Sequence, residues 1–226
     1  VEGFSLDLKS GLVFFMSDSA SIIHSPVFYI LISLINSSIN NILIIKILYI
    51  FLCSFLPIIF FFILKDKFKI NKNILFIFSL VIFLSPYFRS SAIWLLGDNL
   101  SLIFFSLSIL YFNKVDELNY KNFKNCFLCM FFLILCCYIR YNYCLFSLYF
   151  LFSFYQKLKR KYFFLLIAIS FIFTLPAIFY FYHIIFNFDF GATIANYSRF
   201  NIHNNYLIVL SILLFYLLPF CFLLNI

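Results

Sequence analysis

The sequence predicts an all-α polytopic membrane protein, a bundle of short and broken transmembrane helices, and three observations predict it. The first is composition: 65% of the 226 residues belong to the set AVILMFWYC, only 11% are charged, and mean hydropathy is +1.09. A soluble domain is about 45–50% apolar and about 25% charged. The second is that apolar runs recur from Pro26 to Ile226, and the third is that lysines cluster in the polar connections between runs. An ordinary soluble domain is excluded. A spanning helix needs about 20 apolar residues, so roughly six to eight segments fit the chain. The 38 Phe and 16 Tyr match a bias toward AT-rich codons and carry little functional weight.

In chain order, residues 1–24 read as an only mildly apolar external loop without a signal-peptide pattern. Eight apolar segments follow: Pro26–Ile35, Ile42–Leu64, Ile74–Phe88, Leu100–Phe112, Cys126–Ile139, Tyr143–Tyr155, Tyr162–Phe186 and Tyr206–Ile226. The chain is expected to be part of one transmembrane domain. Its start at Val1 and its stop inside an apolar run suggest a fragment, with a helix before Val1 and more chain after Ile226.

Three connections carry clustered cations: Lys65, Lys67, Lys69 and Lys72; Lys114, Lys121 and Lys124; Lys157, Lys159, Arg160 and Lys161. Together they hold 11 of the 16 Lys and Arg residues, so by the positive-inside rule all three face the cytoplasm. Each pair of segments between successive basic connections must then cross twice. External turns are expected within Ser85–Asn99 and around Ile139–Tyr143, and residues 187–205 are external as well. A single helix over Cys126–Tyr155 would be about 45 Å long and would put a basic connection outside. Two crossings are therefore expected there. Leu100–Phe112 rises only about 20 Å against about 30 Å of hydrocarbon, so its outer end should meet protein or a wet cavity.

The cations also divide by type. Every cytoplasmic one except Arg160 is Lys, whereas Arg89, Arg140 and Arg199 lie toward the external side. Arginine presents a planar fork suited to phosphate or carboxylate. Within apolar sequence an unpaired charge costs about 2.5–3.5 kcal/mol on insertion scales, so Arg89 and Arg140 should have partners. Three are open: outer headgroups reached by snorkelling, an Arg89–Asp98 ion pair, or an anionic lipid-linked group in a cavity. Asp98, in Gly97-Asp98-Asn99, is expected to cap the helix that follows. Asp18 is the external acid nearest in sequence to His24, which precedes Ser25-Pro26 at the first apolar run. A carboxylate within reach of a hydroxyl proton can act as general base.

Other chemistry is disfavoured. No His pair has metal-ligand spacing, and Cys126-x-x-Cys129 lacks the second pair a zinc site needs. The seven cysteines, at 53, 126, 129, 136, 137, 144 and 221, read as small buried packing residues. No nucleotide loop occurs, and the net charge of +8 reflects orientation, with no nucleic-acid partner implied. The N-x-S matches at Asn36, Asn99 and Asn196 are expected by chance in so Asn- and Ser-rich a chain. No internal repeat of the kind found in many transporters is visible.

Three stretches resemble the GT-C membrane glycosyltransferases, which include protein mannosyltransferases and bacterial lipid A aminoarabinose transferases. His24-Ser25-Pro26-Val27-Phe28-Tyr29 is similar to the family's H-P-P-L-Y element, with Ser25 in place of one proline. Leu84-Ser85-Pro86 followed by Gly97-Asp98-Asn99-Leu100-Ser101 looks like the family's third-helix ending and the acidic start of the next helix. Ile139-Arg140-Tyr141-Asn142 resembles the R-x-x-N or R-x-N turns of several members, including the dolichol-pathway enzyme that adds the terminal glucose. The likeness covers about residues 1–186.

It implies a donor in which a sugar is linked to a polyprenyl phosphate, a base in the first external loop, and transfer to an acceptor hydroxyl on the external face. The site would comprise Asp18 and Asp98 as catalytic residues, with His24, Arg89, Arg140, Asn142 and Arg199 binding substrate. Because the family's first loop follows a helix this chain lacks, the base could also lie upstream of Val1, leaving Glu2, Asp7 or Asp18 as substitutes. No metal and no tightly bound cofactor are implied. The acceptor would be a lipid, glycan or protein, and the membrane a bacterial inner membrane or the endoplasmic reticulum. Two other readings stand beside this one: a lipid or lipid-linked sugar flippase, and a non-catalytic membrane subunit.

Overall fold

The structure, a computed structural model, describes residues 27–68, 70–115 and 121–187, and all regular structure among them is helical. The chain divides into two compact units, Val1–Phe181 and Tyr182–Ile226. Of the second, only residues 182–187 are described, as helix.

In the first unit, helix α1 (Val27–Ile39) ends where Asn40 turns left-handed, φ 51°, with its N–H on the Asn36 carbonyl at 2.8 Å. Asparagine tolerates that conformation. The Asn41 side chain then accepts from the Leu43 and Ile44 N–H groups and starts α2 (Ile42–Cys53). Helix α3 (Phe55–Lys67) follows after a break at Ser54. Pro57 explains the break, because it has no N–H for the Cys53 carbonyl and its ring crowds that oxygen. Together α2 and α3 form a 26-residue element long and apolar enough to cross a membrane.

Helix α4 (Lys72–Leu80) tightens into a 3-10 turn at Val81–Leu84, and α5 (Pro86–Ile93) leaves it at 64°. Ser85 caps α5 by accepting from the Phe88 N–H, with Pro86 at its first position, where a missing N–H matters least. The expected turn within Ser85–Asn99 therefore shrinks to the three residues between α5 and α6 (Gly97–Asn113). At 17 residues, α6 is about 25 Å long, longer than the apolar run alone implied.

Helix α7 (Lys121–Ile139) runs antiparallel to α6. Asp98 meets Arg140, Ser108 meets Cys129, and Asn125 donates to the Lys114 carbonyl, so numbers rise along one helix as they fall along the other. A 3-10 turn at Tyr141–Cys144 then reverses the chain into α8 (Leu145–Lys157), so Cys126–Tyr155 is two helices, as expected. Phe105 packs on Phe146, and Phe112 on Phe150 and Phe154, which sets α8 alongside α6. Helix α9 (Arg160–Asn187) returns beside α7, with Phe123 against Tyr162 and the Tyr138 hydroxyl donating to the Phe173 carbonyl at 2.6 Å. The next carbonyl towards the N-terminus, that of Ile172, is the one that Pro176 leaves without a helical donor.

Two buried clusters hold these helices. One gathers Phe28, Ile45, Tyr49, Leu56, Phe88 and Ile139; the other gathers Val115, Cys126, Cys129, Leu133, Phe154 and Leu166. Outside them many large apolar side chains are exposed. Leu43, Ile47 and Phe51 lie four residues apart on α2 and are each more than half exposed, one face of a helix turned away from the protein. Residues 160–179 of α9 form a second element long and apolar enough to cross a membrane, and the bent α4–α5 pair would be a third.

Cys53, Cys126, Cys129 and Cys136 are buried packing residues, whereas Cys144 is exposed and departs from that expectation. Cys221 lies outside the described residues.

Candidate functional site

The start of α6 is the most polar place in the described core, and its geometry begins with Gly97. A Cβ there would stand 2.8 Å from Ile139 Cγ2 and 3.2 Å from Phe28 Cγ. Only the absence of a side chain lets the first turn of α6 press onto the last turn of α7 and the first turn of α1. The corner before it is held firmly. Leu95 adopts φ 55°, a left-handed conformation that disfavours an L-residue by about 1–2 kcal/mol. Three hydrogen bonds hold it there: Leu96 N–H donates to the Ser91 carbonyl at 3.0 Å, and the Tyr49 and Ser91 hydroxyls both donate to the Leu96 carbonyl. Buried Asn99 adds a further tie, donating to the Phe88 carbonyl at 2.8 Å and touching the Cys53 sulfur.

This approach sets Asp98 against Arg140, Oδ1 to Nε at 2.6 Å, with their side chains only 16% and 26% exposed. The Asp98–Arg89 ion pair is thereby corrected: Arg140 is the partner. Arg89 lies on α5, exposed, and makes no ion pair among the described residues. The expected capping role is corrected too, because the N-cap of α6 is Leu96 and Asp98 sits in the first turn. There its charge meets the positive end of the helix dipole, while Arg140, just past the last turn of α7, meets a negative end. Each charge is placed where its own helix favours it, and the two helices run antiparallel, so these ends coincide.

Arg140 is aimed by the backbone. Its N–H closes α7 on the Cys136 carbonyl at 2.9 Å, its φ of −137° is extended, and its carbonyl accepts from the Tyr143 N–H at 3.3 Å. Two phenols surround the pair. Tyr87, from α5, lies beside the Asp98 carboxylate, and Tyr143, from the turn after Arg140, lies beside the Ser101 side chain. Ser101 itself donates to the Asp98 backbone carbonyl at 2.7 Å. A carboxylate, a guanidinium and two phenols thus converge from three helices, an arrangement suited to gripping an anion or a polyol.

Of the residues expected in a site, Asp98 and Arg140 come together, and Asn142 is exposed in the 3-10 turn two residues on. Asp18, His24 and Arg199 lie outside the described residues. Tyr87, Ser101 and Tyr143 were not anticipated, since nothing distinguishes them among 16 tyrosines and many serines. Gly97 could have been: it is one of four glycines and immediately precedes the acid. Among the described residues no group of three or more His, Cys, Asp or Glu could hold a metal ion.

No family model, curated protein or solved structure matches this chain. The likeness to the GT-C enzymes rests on its residues alone.

Proposed function

We propose that the protein is a multi-pass membrane glycosyltransferase of the GT-C type, which moves a sugar from a polyprenyl-phosphate donor to an acceptor on the external face. The observation that carries this reading is the Arg140–Asp98 pair at the meeting of three helix ends, ringed by Tyr87 and Tyr143. The lysine-rich connections also agree with it. Lys157 Nζ donates to the Val115 carbonyl at 3.3 Å, so two of the three basic connections meet at the far end of α6 from Asp98. On the positive-inside rule that end is cytoplasmic and the pair is external.

In this reading Arg140 binds the donor phosphate, Asp98 orients Arg140, and the phenols contact sugar or phosphate oxygens. The acceptor hydroxyl attacks the anomeric carbon, the bond to the phosphate oxygen breaks, and a carboxylate takes the hydroxyl proton. Asp18 is the nearest candidate for that carboxylate on this chain.

The test supplies the full-length protein in membranes with radiolabelled polyprenyl-phosphate sugars and follows the label. Transfer to a new lipid, glycan or protein is expected, falling about 10²-fold or more in Arg140→Ala and Asp98→Ala. Full activity in both variants would remove these residues from the site. Donor moved across the bilayer with its glycosidic bond intact would identify a flippase instead.

A further inference from the structure

Helix α5 turns one face to the protein and the other away from it. Phe88, Ser91 and Ala92 are buried, whereas Tyr87, Arg89, Ser90, Ile93 and the adjoining Trp94 are exposed. Two contacts fix the level of this helix against α2. Lys46 Nζ lies 6.0 Å from the centre of the Trp94 ring, and the Tyr49 hydroxyl donates to the Leu96 carbonyl. Lys46 in turn marks a level in the crossing element that α2 and α3 form. Residues 47–64, between Lys46 and Lys65, carry no charge. A helical rise of about 28 Å separates the two lysines, close to the roughly 30 Å of bilayer hydrocarbon. Trp94 is thus held at the level where that hydrocarbon ends.

We infer that α5 is an interfacial helix, whose outward face lies among phospholipid headgroups with Arg89 on a lipid phosphate. The bend before it agrees, because α5 leaves α4 at 64°, and a crossing α4 then sets α5 closer to the membrane plane than to its normal. The residue types agree as well. Trp94 and Tyr87 join an apolar ring to a polar handle, the kind of side chain that gathers at membrane–water boundaries. Ile93 and Trp94 would expose apolar surface to open water, and Arg89 would be costly in hydrocarbon; the boundary suits all three. Below Lys46, the exposed Ile47 and Phe51 of α2 continue the apolar surface into the hydrocarbon. The charges select the headgroup. Asp98 is held by Arg140, no other acid occurs between Asp66 and Trp94, and Arg89 makes no ion pair among the described residues. Arg89 and Lys46 therefore complement an anionic lipid, and the guanidinium fork matches its phosphate. The inference rests on the crossing element alone, so it stands or falls separately from sugar transfer.

The experiment reconstitutes the full-length protein into phosphatidylcholine vesicles and reads the fluorescence of Trp94, the single tryptophan of these 226 residues, as the difference between wild type and Trp94→Phe. The quenchers are phosphatidylcholine brominated close to the glycerol, phosphatidylcholine brominated deep in the acyl chains, and acrylamide in the water. The expected result is that the shallow bromines quench most. Phosphatidylglycerol brominated at the same shallow position should then compete for the helix about fivefold better than its phosphatidylcholine counterpart. In Arg89→Gln that preference should fall about fivefold while the depth of Trp94 stays the same, since Arg89 is exposed and the helix does not need it to fold. Four results would overturn the inference. Deep bromines quenching most would place the face in hydrocarbon, and quenching by acrylamide alone would place it in water. Quenching by none of the three would mean that another copy or another protein covers the face. A preference for phosphatidylglycerol that is absent, or unchanged in Arg89→Gln, would remove Arg89 from the lipid phosphate.

Discussion

At the Gly97 end of the α6–α7 pair a cation meets a carboxylate, whereas at the Asn113 end cations meet backbone carbonyls and aromatic faces. Arg140 and Asp98 are 2.6 Å apart and mostly covered. Lys157 reaches the Val115 carbonyl and lies 5.7 Å from the centre of the Phe112 ring, and Lys114 lies 5.4 Å from that of Tyr111. The first arrangement needs two complementary shapes held by a defined backbone. The second needs only a positive charge on a flexible stem with its methylenes on apolar surface. One end is specified residue by residue, the other by charge alone.

The contrast between the two ends is lost most completely if α6 cannot approach α7. In Gly97→Ala the new Cβ meets Ile139 Cγ2, which belongs to a β-branched side chain stiff in a helix, so it cannot swing aside. A loss of about 3 kcal/mol is expected, the upper end of overpacking effects. Denaturation of the purified protein in detergent would measure it. Because Ile139→Ala removes the clashing methyl, adding Gly97→Ala should cost less in that background than in the wild type. An additive pair would mean that Gly97 matters for some reason other than this contact.

The pair itself comes next. Exposed ion pairs contribute about 0.2–1 kcal/mol, and breaking buried ones costs about 3–5 kcal/mol; at 16% and 26% exposure this one belongs between them, near 2 kcal/mol. Asp98→Ala and Arg140→Ala should each lose about that much, and the double variant little more than either alone. Independent losses in a double-mutant cycle would show that the two side chains do not stabilise one another.

How far this was readable in the sequence follows from what each feature depends on. Helices follow local rules: Asn41 and Ser85 are polar side chains that cap the helices they precede, and the break after Arg140 separates α7 from α8 as run length required. The lengths were less legible. Polar residues such as Asn113 and Lys121 lie inside helices that hydropathy alone would end earlier. Partner choice was not legible at all. Arg89 is nine residues from Asp98 and Arg140 is forty-two, yet the distant one pairs, because α6 and α7 are antiparallel and Gly97 lets their ends touch. Sequence separation carries no information about such a contact, and only the scarcity of glycine marked the place. The phenols were hidden by composition, since so many tyrosines here are merely apolar surface.

The smallest effect is expected at the other end, where an exchange of cation should pass almost unnoticed. Lys157→Arg keeps the charge, keeps a donor for the Val115 carbonyl, and keeps a cation beside the Phe112 ring. Stability should change by less than about 0.5 kcal/mol, and orientation in the membrane, read by protease protection of a terminal tag, should not change. The mirror exchange, Arg140→Lys, replaces a planar fork whose Nε holds Asp98 with a point charge, and it should recover only part of what Arg140→Ala loses. Equal tolerance at both ends would mean that the Asp98–Arg140 pair, like the basic connections, is read only as charge. The backbone geometry around Gly97 and Leu95 would then serve packing and not the orientation of a guanidinium.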